Sequence, residues 1–221
     1  MTDRRPLARV LGALEEHGLL WKQDKVHPNV VTLVTGERLS SSWWSHPQGR
    51  RLFALLGELA DHEDVLFAKL LDGKVTLVHR RLWPAFLAVA SARDEWQTRG
   101  LSAGALRLLA DVDEHGRKRA AGAAVKELEL RLLVHAEEVH TESGRHEIEL
   151  ESWSAWARRR RCKPARSSAA ARAELEAAVD ALGAPRTVLP WPTEGAAVRA
   201  RARRSARSST GAKRSRRSGT R

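Results

Sequence analysis

The 221-residue chain has no tyrosine, one methionine and one cysteine. A lone thiol, Cys162, excludes an internal disulfide and makes a reducing interior the expected setting. No apolar run reaches the roughly 18–20 residues that span a bilayer, so no membrane partner is expected. The opening MTDRRPLARVLGALEEHG scatters charges among its apolar residues and lacks the continuous apolar core of a secretory signal. A cytoplasmic protein is expected, with the nucleoid as one place it could associate. There is no P-loop, no dinucleotide-binding glycine fingerprint, no nucleophile elbow and no Cys/His spacing of a zinc site. No cofactor is expected.

Positive charge, by contrast, is in excess, at a formal +12. Its position matters more than its size. Residues 1–157 carry 21 basic and 23 acidic side chains, residues 158–195 carry 8 and 4, and residues 196–221 carry 10 and none. The basicity therefore begins at Arg158-Arg159-Arg160-Arg161 and peaks in the last 26 residues. A polyanionic partner is implied, and it is implied by the tail.

Periodicity organises the rest. Arg4–His17 reads as a helix with Val10, Leu11 and Leu14 on one face and Gly18 as its stop. Val30–Val34 reads as a short strand closed by Thr35-Gly36. Pro47 opens a helix through Ala60 whose Leu52, Leu55, Leu56 and Leu59 share a face. Val65–Val78 favours a hairpin turning at Asp72-Gly73, over a helix ending near Gly73. Helices are expected over Arg81–Ala92, with Pro84 in the first turn, and over Leu101–His115, with Ser102 as N-cap and Leu106, Leu109 and Val112 buried. After a short link, RKRAAG, comes a helix over Ala120–Leu133 with Val125, Leu128 and Leu132 inward. Beyond a linker-like RCKPARSS, Ser168 can cap a helix Ala169–Leu182.

The stretch Val134–Trp153 holds three histidines and six glutamates. With Ser143-Gly144 as a two-residue loop, His140 pairs with Glu147, Val139 with Ile148 and Glu138 with Glu149. Alternation then puts Val139, Thr141, His146, Ile148 and Leu150 on the core face. Glu138, His140, Glu142, Arg145, Glu147, Glu149 and Glu151 take the other. His135 and His146 oppose His140, so the histidines cannot converge on one metal, and no metal site is expected. The carboxylates should raise the pKa of His140. A wing that grips DNA should present cations. This hairpin has only Arg145, which makes it a candidate docking surface for a protein partner instead.

Helix, link, helix and hairpin over 101–158 is the order of a winged-helix unit, with the second of its usual three helices squeezed into RKRAAG. Four stretches then resemble one family: Ser42-Trp43-Trp44, LFAKLLDGKVTLVHRRLWPAFLA (Leu66–Ala88), KELELRLLVHAEEVHTESG (Lys126–Gly144) and LESWSAWAR (Leu150–Arg158). They are similar to small winged-helix proteins related to the bacterial crosslink-repair DNA glycosylases, over about Trp43–Arg158. The resemblance implies a winged-helix scaffold and a DNA or DNA-repair context. It implies no catalysis, because the Gln-x-Gln motif of the large glycosylases is absent: Gln23, Gln48 and Gln97 are the only glutamines and no two are two apart.

The expected fold is thus α+β, mainly helical, with a winged-helix unit, short β-hairpins and a disordered basic C-terminal tail. Residues 1–100 form an α+β part, 101–158 the winged-helix-like part, 159–195 a linker with one short helix, and 196–221 the tail. The expected function is non-enzymatic association with nucleic acid, DNA above all. A repair enzyme with a divergent site and a protein-interaction module are the alternatives. Candidate contacts are Arg119 and Lys126 on one flank of a helix, with Lys118 just before it. The tail adds Arg199, Arg201, Arg203, Arg204, Arg207, Lys213, Arg214, Arg216 and Arg217. Trp43-Trp44 can stack on bases or serve the core. Cys162, among arginines, reads either as a reactive thiolate or as an incidental exposed thiol. Asp61-His62-Glu63-Asp64 reads as a polar turn.

Overall fold

Helix α1, Arg5–His17, buries Val10 and Leu14 and stops at Gly18. That glycine has a φ of 79° and donates its N–H to the Leu14 carbonyl at 2.7 Å. A left-handed residue here turns the chain directly into β1, Leu19–Trp21. These positions come from a computed structural model that describes residues 5–39, 41–140 and 146–192, without the side chains at 139, 140 and 146.

The expected strand at Val30–Val34 is instead a helix, α2, Val30–Thr35. Local hydrogen bonds override the β-propensity of its valines. The Asn29 side chain accepts from the Thr32 N–H at 2.9 Å and donates to the carbonyls of Asp24 and His27. Gly36, at φ 81°, closes the other end. Helical spacing also buries Val30, Val31 and Val34 together. Helix α3, Gly49–Asp61, buries Leu52, Leu55 and Leu59. Strands β2, Val65–Leu71, and β3, Lys74–His79, form the expected hairpin, with Asp72 and Gly73 at φ 52° and 65°. Two positive φ values give the primed turn that suits the twist of a hairpin. Its tip is covered: Asp72 donates its N–H to the Val188 carbonyl at 2.7 Å, and a Cβ at Gly73 would lie 2.6 Å from Leu130.

Helix α4, Trp83–Ala90, carries Pro84 in its first turn and is followed by the four-residue α5, Glu95–Thr98. Helix α6, Ala103–His115, is capped by Ser102 and buries Ala105, Leu109 and Val112. Its stripe begins one residue earlier than expected, leaving Leu106 52% exposed. RKRAAG is not a link. Gly116, at φ 78°, ends α6 and releases strand β4, Arg117–Ala120. Helix α7 is accordingly shorter than expected, Ala123–Leu130, because Gly122 takes φ 95° and Leu132 takes φ 51°. Strands β5, His135–His140, and β6, His146–Glu151, lead to α8, Trp153–Arg159. Ser167, rather than Ser168, caps α9, Ser168–Ala181, which packs on α4. Contacts divide the chain after Pro190, and the second unit, Trp191–Arg221, is described only to Pro192.

Two antiparallel three-stranded sheets result, ordered β1-β3-β2 and β4-β6-β5. The chain has built one arrangement twice. Glu15-Glu16-His17-Gly18 precedes β1, and Asp113-Glu114-His115-Gly116 precedes β4. The Gly18 carbonyl accepts from the N–H of His79, and the Gly116 carbonyl from that of Ser152, each at 2.9 Å. The side chains of His79 and Ser152 each cap the turn that follows. Trp83 and Trp156 stand four residues beyond those caps. They meet edge to face with centroids 5.0 Å apart, flanked by an equivalent contact of Phe86 with Trp153.

The β5–β6 register differs by one residue from expectation. Glu138 faces Ile148, Glu137 faces Glu149, and His135 faces Glu151. The pairing of His140 with His146 centres the register on Ser143, which does not fit a two-residue loop at Ser143-Gly144, and residues 141–145 themselves lie outside the described residues. Burial decides it. Val134 and Ala136 pack with Leu133, Leu150 and Ile148 in the core of this half, which turns His135 to the opposite face. There it is almost fully enclosed beside Trp153 and Trp156. Burial pushes His135 down to about 4, although the Glu151 carboxylate pulls the other way.

A depressed histidine favours the neutral form in the fold. Its stabilising effect is complete above the ordinary value of 6.5 and is lost as pH falls towards 4. Between pH 7 and pH 5 the loss should be about 2 kcal/mol. Urea unfolding of wild type and His135→Gln at both pH values checks this. The variant should lose less stability on acidification than the wild type, and equal losses would contradict the enclosure of His135.

Candidate nucleic-acid interface

Helix α3 presents the surface best suited to a nucleic acid. Ser42 caps a short 3-10 turn, Trp43–Ser45, by accepting from the Trp44 N–H. The His46 N–H returns to the Trp43 carbonyl at 3.1 Å, and the Gly49 N–H to the His46 carbonyl at 2.8 Å. This folds the turn over the start of α3. A Cβ at Gly49 would lie 2.9 Å from the Trp44 carbonyl oxygen, so a glycine is needed for the approach. The turn sends the two tryptophans to different fates. Trp43 is 6% exposed, whereas Trp44 is 61% exposed and stacks on it at 4.2 Å. Phe53, 51% exposed, stands 5.4 Å from Trp44 on the outer face of α3. Arg50, Ala54 and Gly57 share that exposed face, with Arg51 beside them. Two aromatic rings, arginines and two small residues permit close approach, phosphate contact and stacking.

The sequence-based candidates are not gathered in this way. Arg119 is on strand β4, not on a helix. It faces Glu149 across the sheet and pairs with Glu147 at 3.5 Å and Glu149 at 3.9 Å. Lys118 points the other way and pairs with Asp111 at 3.5 Å. Lys126 is exposed on α7. Arg119 and Lys126 therefore do not form one flank, because Gly116 ends α6 and commits Arg117–Ala120 to the sheet. Arg199, Arg201, Arg203, Arg204, Arg207, Lys213, Arg214, Arg216 and Arg217 lie outside the described residues.

The expected acidic face is also changed. Strand β4 lays its arginines along the glutamates of β6. Arg117 reaches Glu149 at 3.2 Å and Glu151 at 3.0 Å. Arg159 of α8 donates to both oxygens of the buried Glu151, at 3.1 and 2.6 Å. Burial works to raise the Glu151 carboxyl, but the hydrogen bonds from Arg159 and Arg117 outweigh it and hold it below the ordinary range. The face is a cross-strand ion-pair ladder, with much of its charge already satisfied. The side chain of His140, expected to titrate high, is outside the described residues.

Elsewhere the polar groups serve structure. Burial works to raise the Asp24 carboxyl, but it accepts from Lys74 at 2.8 Å and from the backbone of Val26 and His27. These bonds hold it well below the carboxylate range. A groove of about 430 Å³ runs past it, lined also by Gln23, Lys25 and Leu39. A second cavity, between Lys69, Glu129, His135 and Trp153, measures only about 50 Å³. That admits a water or two and no nucleobase. Among the described residues no three His, Cys, Asp or Glu side chains converge as metal ligands. His62 accepts from the Asp64 N–H at 3.1 Å in the polar turn, and Asp64 is held by Arg80 at 3.0 Å. Cys162 is half-buried, and burial pushes its thiol up against the opposing effect of Arg80. A reactive thiolate is not favoured there. No helix among the described residues is long and apolar enough to cross a membrane.

The chain matches no protein family, no curated protein and no solved structure.

The different burial of adjacent tryptophans predicts different costs of truncation. Trp43→Ala should lose about 3–5 kcal/mol by leaving a cavity. Trp44→Ala should lose under about 1 kcal/mol, as an exposed position does. Urea midpoints of the two variants give the comparison, and equal losses would contradict the outward placement of Trp44.

Proposed function

We propose that the chain is a non-enzymatic nucleic-acid-binding protein, with DNA as its partner, built on winged-helix architecture. The observation that carries this reading is the order α1–β1–α2–α3–β2–β3 with sheet order β1-β3-β2. That order is the one expected of a winged helix with three helices, and it supports the reading. It sits in the first half of the chain, and 101–158, where the sequence pointed, repeats it with one helix fewer. In this topology the third helix is the one offered to nucleic acid. Here it is α3, whose exposed face carries Arg50 and Phe53 beside Trp44.

The second support is charge. Residues 1–157 are close to neutral, whereas residues 196–221 carry ten cations and no anion. Sequence-independent affinity comes from phosphate neutralisation and counterion release, so the tail supplies affinity and the α3 face supplies the contact with bases. The ion-pair ladder on β4 and β6 leaves the second half without a cationic wing, which suits a positioning role.

Binding to a labelled duplex measured over a salt series tests the reading. Full-length protein should show a steep loss of affinity with salt, each phosphate contact adding about −0.9 to the log–log slope. Deleting Ala196–Arg221 should remove most of the low-salt affinity and flatten the slope by several units. Undiminished binding without the tail would contradict this division of labour. Base release from damaged duplex by the purified protein would favour the repair-enzyme reading instead.

A further inference from the structure

The hairpin that should serve as the wing of the first half is closed off. Its tip is bound through Asp72 to the Val188 carbonyl at 2.7 Å, and Gly73 lies under Leu130. Lys69 on the same hairpin is held by Glu129 at 2.7 Å, and Lys74 by Asp24 at 2.8 Å. A winged helix embraces a duplex with helix and wing together; here only the helix remains. Apart from Arg50 and Arg51, α3 carries no Asn, Gln, Ser or Thr to read base edges within a groove. Its outer face offers instead two exposed rings, Trp44 and Phe53, 5.4 Å apart, with Arg50 one helical turn from Phe53. Rings interleaved with cations suit bases that have left a duplex, because every base has a face to stack and every nucleotide a phosphate to neutralise.

We propose that Trp44 and Phe53 form a stacking platform for an unpaired nucleobase, with Arg50 on its phosphate, so that this face takes single strands in preference to duplex. The inference rests on the nucleic-acid reading above. The occupant is chosen by charge. The rings are apolar but are bordered by Arg50 and Arg51, so a second copy meeting the same face would bring these arginines together. An unpaired polyanionic strand brings both a ring and an opposite charge.

The test uses the full-length chain and four labelled probes: oligo-dT, oligo-rU, and DNA and RNA duplexes of equal length. Wild type should bind the single strands more tightly than the duplexes. Trp44→Ala and Phe53→Ala should each weaken single-strand binding about tenfold, leave duplex binding unchanged and leave the salt slope unchanged, since stacking releases no counterion. Trp44→Phe should restore most of the affinity. Arg50→Ala should reduce the single-strand salt slope by about 0.7. Equal weakening of single-strand and duplex binding would overturn the platform in favour of groove reading. Unchanged binding by the ring variants, with affinity lost on tail deletion, would overturn it while leaving the proposed function standing. No binding of any probe by wild type would overturn both. A change of oligomeric state in Trp44→Ala would assign the rings to self-association.

Discussion

The edge-to-face contact of Trp83 with Trp156 is the joint on which the rest of the molecule depends. Each ring comes from the helix that follows a three-stranded sheet, and each sheet is closed by the same device. A helix ends at a left-handed glycine, the next strand begins at once, and the last strand bonds back to that glycine's carbonyl. Each half buries apolar side chains of its own. The halves meet through Trp83, Phe86, Trp153 and Trp156, with Trp83 and Trp153 donating their indole N–H groups to the Val78 and Leu132 carbonyls. A buried indole N–H left without an acceptor would cost about 1–3 kcal/mol, so these two bonds fix the rings as firmly as their packing does.

Once the halves are joined, the surfaces available for binding are limited. The first hairpin is covered at its tip, and the second half commits Arg117, Arg119 and Arg159 to the glutamates of β6. Buried Glu151 explains the arrangement. An unpaired carboxylate there would be costly, and two arginines converge on it from different elements. Arg117, Arg119 and Arg159 are thus engaged in structure, and the face of α3 and the C-terminal segment carry the case for a polyanionic partner.

Helices with a strong stripe and a good cap were legible in the sequence: Gly18 as a stop, Ser102 as a cap, Pro84 in a first turn and Asp72-Gly73 as a hairpin turn all stand in the structure. Three features were not. Val30–Val34 has strand composition, and only the Asn29 cap, which depends on three-dimensional hydrogen bonding, makes it helical. Arg117–Ala120 has no apolar alternation, so its strand is defined by the acids opposite rather than by burial. The hairpin register turned on Val134 and Ala136, which pack in the core of this half. The candidate site was half legible. The tryptophan pair drew notice, but that Trp43 would be buried and Trp44 exposed follows from the turn before α3. Arg50 and Phe53 gained meaning only from the strand order. The repeat was visible all along in EEHG at Glu15–Gly18 and DEHG at Asp113–Gly116.

The central claim is that the outer face of α3 meets nucleic acid. Ultraviolet crosslinking of the full-length chain to a photoreactive oligonucleotide, followed by peptide mapping, tests it most directly. Adducts on the peptide containing Trp44, Arg50 and Phe53, beside those on the basic C-terminal segment, are the predicted result. Adducts confined to that segment, or to the β4–β6 sheet, would contradict it.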